Sequence, residues 1–222
     1  MCNAYGFNAP ISRLIDVFRQ LDLPMTWADG GVPNLAPREL IRPTDPAPVV
    51  RPLDPAASEQ GVVFSELRWW LVPYFHKGGV KDWKALTTNA RSETIDTTAT
   101  YREAYRRRRC LVPATHFFEW SPLDAAKPKG PKTKWRITAA DADVFFFAGL
   151  WDRARPDGHE GVLESFTLAT CAAGPDMAAI HPRQPVVLTG SAAVAWLQLD
   201  GPDKALLMPS PAGALEVVRA EA

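Results

Sequence analysis

Cysteine is scarce in this sequence, with Cys2, Cys110 and Cys171 the only three in 222 residues, and neither sign of charge is in excess, since 25 Lys and Arg face 25 Asp and Glu. An odd and small number of thiols excludes a disulfide-stapled scaffold and fits free thiols in a reducing cytoplasm. Zero net charge excludes a global basic field, so a nucleic acid has to be held by a local patch. No apolar run approaches the ~18 residues needed to cross a bilayer, and no stretch reads as a signal peptide. His76, His116 and His159 show no spacing to one another, or to the cysteines, that resembles a zinc site, so neither a metal nor a cofactor is expected. No internal repeat stands out.

Proline, by contrast, is plentiful at 21 residues, which suggests many short strands and loops. Pro10 to Leu21 has Ile11, Leu14, Ile15, Phe18 and Leu21 at helical spacing behind a first-turn proline, and predicts an amphipathic helix packed on a sheet. Residues 22–57 predict a long irregular segment with one strand at Pro48 to Leu53. Further strands are expected at Gly61 to Trp70, Cys110 to Val112, His116 to Trp120, Lys134 to Thr138, Val144 to Leu150, Leu163 to Thr170, Pro185 to Leu188 and Ala214 to Val218. Short helices fit Thr100 to Arg108 and Ser191 to Leu199. Such runs of strands with few helices imply an α+β fold, mainly an antiparallel curled sheet or open barrel, in one domain over residues 1–222. "PTDPAP" and "AAKPKGPK" read as surface loops within it.

Three stretches hold more chemistry than a core requires. Removal of Met1 would leave Cys2 with a free α-amine beside its thiol. With an amine pKa near 7.7 to 8.0 and a thiol near 8.5, both nucleophiles are partly available at neutral pH. An aldehyde would form an imine with the first, which the second closes into a thiazolidine. The alternative is an incidental residue on a frayed terminus. The second stretch sets Arg102 and Arg106 to Arg109 against a single acid, Glu103, a pattern that suits phosphate clamping, with Arg91 nearby, and equally suits a solvated helix end. Beyond it Glu119 sits in the apolar run "HFFEW". Burial there would raise its pKa toward proton-transfer use, whereas period-two alternation would place it on a polar strand face. The third stretch, "AAIHPRQPVVL", puts His181 between a short helix and a strand start, as a structural residue or a general acid and base.

Together "MC", "PNLAP", "LRWWLVPYF", "NARSET", "RRRCLVPATHFFEW" and "IHPRQPVVL" resemble, in order, the motif blocks of the SOS response-associated peptidase family of abasic-site processing proteins. That resemblance implies that Cys2 is the nucleophile, crosslinking to the ring-opened aldehyde of an abasic site in single-stranded DNA as a stable thiazolidine, with AP-lyase chemistry as a branch and autoproteolytic removal of Met1. It maps Asn89 beside the reacting sugar, Arg91 onto phosphate, and Glu119 and His181 onto acid and base roles. Trp69, Trp70 and Phe75 would stack on or wedge between bases, with a buried place in a core strand the alternative for one of the two tryptophans, and Arg106, Arg107, Arg109 and Arg183 complete the expected DNA-binding set. The partner is then abasic single-stranded DNA, met by a monomer in a bacterial cytoplasm and at the nucleoid when DNA is damaged.

The chain departs from the family pattern in reading "MCNAYGF" for "MCGRF", in placing Trp70 where a glycine is usual and in carrying Gln184 where methionine is common. Two other readings use the same residues. A thiol hydrolase acting on peptides would take Cys2, His181 and Glu119 as nucleophile, base and orienter. A noncatalytic single-stranded DNA-binding module would depend on the basic and aromatic residues and not on Cys2.

Overall fold

A computed structural model gives the fold and describes residues 2–28, 30–53, 61–124, 126–197 and 204–220. Six strands make the larger part: β4 (Pro46–Pro52), β5 (Val62–Trp69), β7 (Arg109–Ala114), β10 (Phe145–Ala154), β11 (Leu163–Ala172) and, at the edge, β2 (Met25–Trp27). Antiparallel pairing runs from β11 through β10, β7 and β4 to β5, and β5 then pairs in parallel with β11 through Arg68↔Ser165 and Trp69↔Phe166. The curled sheet therefore closes on itself as a five-stranded circuit, which leaves those strands no free edge. Two short strands, β12 (Arg183–Pro185) and β13 (Val187–Leu188), enter where β10 and β11 part, the first pairing with β11 and the second with β10.

A second, five-stranded sheet runs in the order β14 (Leu215–Arg219), β9 (Lys132–Ala139), β8 (His116–Pro122), β1 (Tyr5–Phe7) and β3 (Arg38–Ile41). Aromatic rings join it to the barrel. Tyr5 meets Trp69 edge-on at 5.2 Å and Phe147 at 5.5 Å, and Phe117 meets Phe147 at 5.8 Å. Such T-shaped pairs are favoured by the ring quadrupoles and add to the area that the rings bury.

The α+β, mainly antiparallel class inferred from the sequence is the class found. Helix α1 (Ile11–Gln20) starts behind Pro10 and inserts Leu14 and Phe18, the latter against Phe146 at 5.3 Å. Helices α2 (Arg102–Arg107) and α3 (Gly190–Leu197) cover β7, and the predicted end of α3 at residues 198–199 lies outside the described residues. Sequence reading missed β1, β2, β3 and β6 (Asn89–Arg91), each three or four residues long and so too short to show a period. The segment read as irregular after Asp22 contains β2 and β3 as well as β4. No helix among the described residues is long and apolar enough to cross a membrane.

Candidate active site

The amino terminus is drawn inward by pairing. β1 lies antiparallel to β8, with Tyr5 opposite Phe117, and the Phe118 N–H donates to the Ala4 carbonyl over 2.9 Å. The same ladder, continued, carries Asn3 and Cys2 alongside Glu119. On β8, Phe117 and Glu119 alternate onto one face, so Glu119 shares the core side and is only 3% exposed. The polar-face reading of this glutamate is thereby set aside.

Asn89 arrives from the other direction. β6 lies parallel to β11, Asn89 opposite Leu168, and the Tyr101 hydroxyl donates to the Asn89 carbonyl over 3.2 Å. The Asn89 Nδ2 donates to the Cys2 carbonyl at 3.0 Å, to Asn3 Oδ1 at 3.2 Å and to Thr88 Oγ1 at 3.1 Å. Thr88 also donates to Asn3 Oδ1 at 3.1 Å. Asn89 Oδ1 is buried and has no hydrogen-bond partner among the described residues. A buried amide oxygen without a donor is costly.

Cys2 is not exposed. Its side chain is fully buried, and its thiol donates to the Ala4 carbonyl at 3.6 Å. Burial pushes the thiol pKa well above its ordinary value and the negative charge of Glu119 pushes it further, against a smaller opposing effect of the Ala4 bond. The expectation of a partly ionised thiol is corrected on this ground: the sulfur is held protonated in the interior. Met1 lies outside the described residues.

His181 precedes β12 at the end of β11 where β6 also ends, since Thr170 pairs with Arg91 on one side and with Pro185 on the other. Its Nδ1 lies 3.0 Å from the Arg183 nitrogen and 2.9 Å from the Arg183 oxygen. One tautomer accepts from the first, and the other, or the cation, donates to the second. Nδ1 thus keeps a backbone partner in either tautomer.

The residues expected to bind DNA divide. Arg91, Arg106 and Arg107 are exposed, the last two within 3.8 Å of Glu103. Trp70 is half-buried, with its indole N–H donating to the Ala85 carbonyl at 2.9 Å. Arg183 holds Glu93 through both terminal nitrogens, at 2.7 and 3.0 Å, and that pairing holds the Glu93 carboxyl below its usual range. Two assignments are corrected. Trp69 is fully buried, donates to the Thr88 carbonyl at 3.0 Å and stacks on Phe166, so it supports the pocket from within the core. Arg109 is 1% exposed and donates to the Trp196 carbonyl at 2.6 Å and the Tyr105 carbonyl at 3.2 Å, tying α2 and α3 to the barrel. The sequence pattern could separate Trp69 from Trp70 only by strand alternation, and Arg109 from its neighbours only by where α2 stops.

The described residues contain no cluster of three or more metal-ligating side chains. Residues 1–221 match the family profile described as SOS response associated peptidase (SRAP). The abasic site processing protein YoqW of Bacillus subtilis is 34% identical over 158 residues, covering 68% of this chain and 66% of that protein. The abasic site processing protein HMCES of Xenopus tropicalis is 29% identical over 189 residues, covering 77% of this chain and 56% of that protein. The chain thus spans a little under two thirds of the first relative and just over half of the second. A crystal structure of a Bacteroides thetaiotaomicron protein superposes with a TM-score of 0.79 at 22% identity, over 99% of this chain and 92% of that one. A Bordetella bronchiseptica protein gives 0.75 at 25%, over the whole of both chains. The first of these likenesses speaks for the fold alone.

Proposed function

The chain belongs to the SOS response associated peptidase (SRAP) family, and from that premise we propose that it processes abasic sites in single-stranded DNA by forming a covalent thiazolidine through Cys2. The observation that carries this reading is the meeting of Cys2, Asn89 and Glu119 in one buried pocket, with Asn89 Oδ1 left without a donor beside the Cys2 backbone. Two named relatives, YoqW and HMCES, are abasic site processing proteins, which supports the choice of substrate.

In this reading the first attack falls to the α-amine that removal of Met1 would expose, which the burial of the thiol supports. His181 moves the proton that opens the deoxyribose to its aldehyde. The Cys2 amine adds to the aldehyde carbon, and the carbonyl oxygen leaves as water with both amine protons, relayed by the Glu119 carboxylate, giving a neutral imine. The thiol then adds to the imine carbon. A carbon–sulfur bond forms, the S–H proton passes by way of the Glu119 carboxylate to the imine nitrogen, and the ring closes as a secondary amine. Asn89 Oδ1 accepts from the sugar or the carbinolamine and holds it in line. β-Elimination from the same imine is the lyase branch, and self-removal of Met1 is the peptidase activity of this reading.

The test is a purified protein incubated with a single-stranded oligonucleotide carrying one abasic site, then heated and resolved on a denaturing gel beside Cys2→Ala. Intact mass spectrometry reports whether Met1 is gone. A heat-stable shifted band absent from the variant is the expected result. No band, from protein whose amino terminus is Cys2, overturns the mechanism.

A further inference from the structure

Asn3 moves no proton and forms no bond in the chemistry proposed for Cys2, yet its side chain is tied into the pocket. Its Oδ1 accepts from Asn89 Nδ2 at 3.2 Å and from the Thr88 hydroxyl at 3.1 Å, although the residue as a whole is exposed. Thr88 and Asn89 are each only 6% exposed. Their backbone is fixed as well: the Thr88 carbonyl accepts from the Trp69 indole at 3.0 Å and from the Leu168 N–H at 3.2 Å, and the Asn89 carbonyl accepts from the Tyr101 hydroxyl at 3.2 Å. What can still change is the direction of one hydroxyl hydrogen and of one side-chain amide.

The hydrogens available decide which way that amide points. Thr88 has one hydroxyl hydrogen, and Asn3 Oδ1 receives it. Toward Asn89 the hydroxyl therefore offers a lone pair, which accepts from Nδ2 at 3.1 Å. The Cys2 carbonyl, 3.0 Å from the same nitrogen, can only accept. Nδ2 thus lies among acceptors, and Oδ1 is turned away from them, buried and without a hydrogen-bond partner among the described residues. Without the Asn3 oxygen the Thr88 hydrogen is released. It can then swing toward Asn89, and an amide rotated end for end would meet it with Oδ1. A buried oxygen gains a donor by that rotation, at the expense of the bond to Cys2.

We propose that Asn3 is a positioning residue: by holding the Thr88 hydrogen, it keeps Asn89 Oδ1 open as an acceptor beside Cys2. Its value for catalysis rests on the abasic-site reading above, in which that oxygen accepts from the sugar or the carbinolamine. An acceptor already aimed needs no reorganisation when the substrate arrives. The role also gives a physical use to the asparagine of "MCNAYGF", which stands where the "MCGRF" pattern has a glycine with no side-chain oxygen to offer.

Two readouts test this, one with DNA and one without. In single-turnover adduct formation on an abasic single-stranded oligonucleotide, Asn3→Ala should lower the limiting rate about tenfold, the scale of one hydrogen bond, with the half-maximal oligonucleotide concentration unchanged. Thr88→Val removes the competing hydrogen, so Asn3→Ala combined with Thr88→Val should react faster than Asn3→Ala alone. Asn3 is exposed, so its variant should keep the wild-type melting temperature. Without DNA, NMR should show the Asn89 side-chain amide hydrogens exchanging with water faster in Asn3→Ala and more slowly again in the double variant. Unchanged exchange in Asn3→Ala overturns the proposal, as does a double variant no faster than the single one. A change confined to the half-maximal concentration also overturns it, by making Asn3 a direct DNA contact. Wild-type protein that forms no adduct but shows the expected exchange pattern overturns the abasic-site reading and leaves the orienting role of Asn3 standing.

Discussion

Cys2 and Cys110 are both fully buried, and burial raises both thiols. Their surroundings differ in kind. Cys110 sits in β7 inside the barrel, its sulfur so close to Gly149 that a Cβ there would lie 2.8 Å away, and its carbonyl accepts the Trp196 indole at 2.9 Å. The charge that reaches it is that of Arg51, which partly offsets the rise. Around Cys2 the charge is Glu119, which adds to the rise, and the neighbouring amides are Asn3 and Asn89. Exposure and thiol acidity therefore do not separate the cysteine proposed to react from a packing one here. What separates them is a carboxylate able to move protons and an amide oxygen still lacking a donor.

The widest gap expected between the two regions is in adduct formation. Cys2→Ala should abolish the heat-stable DNA adduct, while Cys110→Ala should leave its yield intact and lower the melting temperature through the cavity left against Gly149 and Val112. Equal adduct yields from both variants would end the comparison. Glu119→Gln keeps shape and removes the proton carrier, and should slow adduct formation by about 10²-fold at unchanged melting temperature. Single-turnover rates would read it, and an unaltered rate would reduce Glu119 to a structural group.

Much of this difference was legible in the sequence, and the rest was hidden for identifiable reasons. A glutamate inside "HFFEW" and a cysteine at position 2 are odd locally, His181 stands between a short helix and a strand start, and Asn89 came from the resemblance to the family's motif blocks. Long strands such as β10 and β11 announced themselves by length and composition. The burial of Cys2 did not, since it depends on β1 pairing with β8, more than 100 residues away, as the Asn8 N–H to Thr115 contact also shows. Nor did the barrel's closure, which needs the parallel β5 and β11 contact. Arg109 looked like part of a basic run and is buried only because its strand begins at that residue.

Adjacent tryptophans sharpen the comparison at the level of stability. Trp69 braces the Cys2 pocket through Thr88 and packs on Tyr5 and Phe166, so Trp69→Ala should cost about 3–5 kcal/mol in denaturant unfolding. Trp70 stands where relatives of the family pattern carry glycine, and its φ is 121°, a conformation that side chains rarely adopt. Such backbone strain is worth about 1–3 kcal/mol. Trp70→Gly would release it while losing a half-buried indole and its bond to Ala85, so the two contributions should nearly cancel. A loss as large as that of Trp69→Ala would show that the indole, and not the backbone, governs this turn.

The smallest effect concerns how firmly the pocket's strand is held. His116 is fully buried on β8, and its ring and the Glu39 carbonyl fill the space beside Gly6 of β1, which leaves no room for a Cβ there. Nε2 lies 3.0 Å from the Glu39 carbonyl oxygen and Nδ1 3.0 Å from Thr115 Oγ1. Burial lowers its pKa below 6.5, with Arg136 and Lys134 adding to the fall and Glu39 opposing it. Between the folded and unfolded values the unfolded chain binds more protons, so stability rises with pH through that window and is lost as pH falls through the folded value. His116→Gln should flatten this slope. Hydrogen-exchange protection factors of the β1 amides should fall on acidification in the wild type while those of β10 hold, because β1 is a three-residue strand and β10 is central to the barrel. An equal loss of protection in β1 and β10 would show that His116 titrates with the whole fold, and that the Cys2 pocket is no looser than the barrel that holds Cys110.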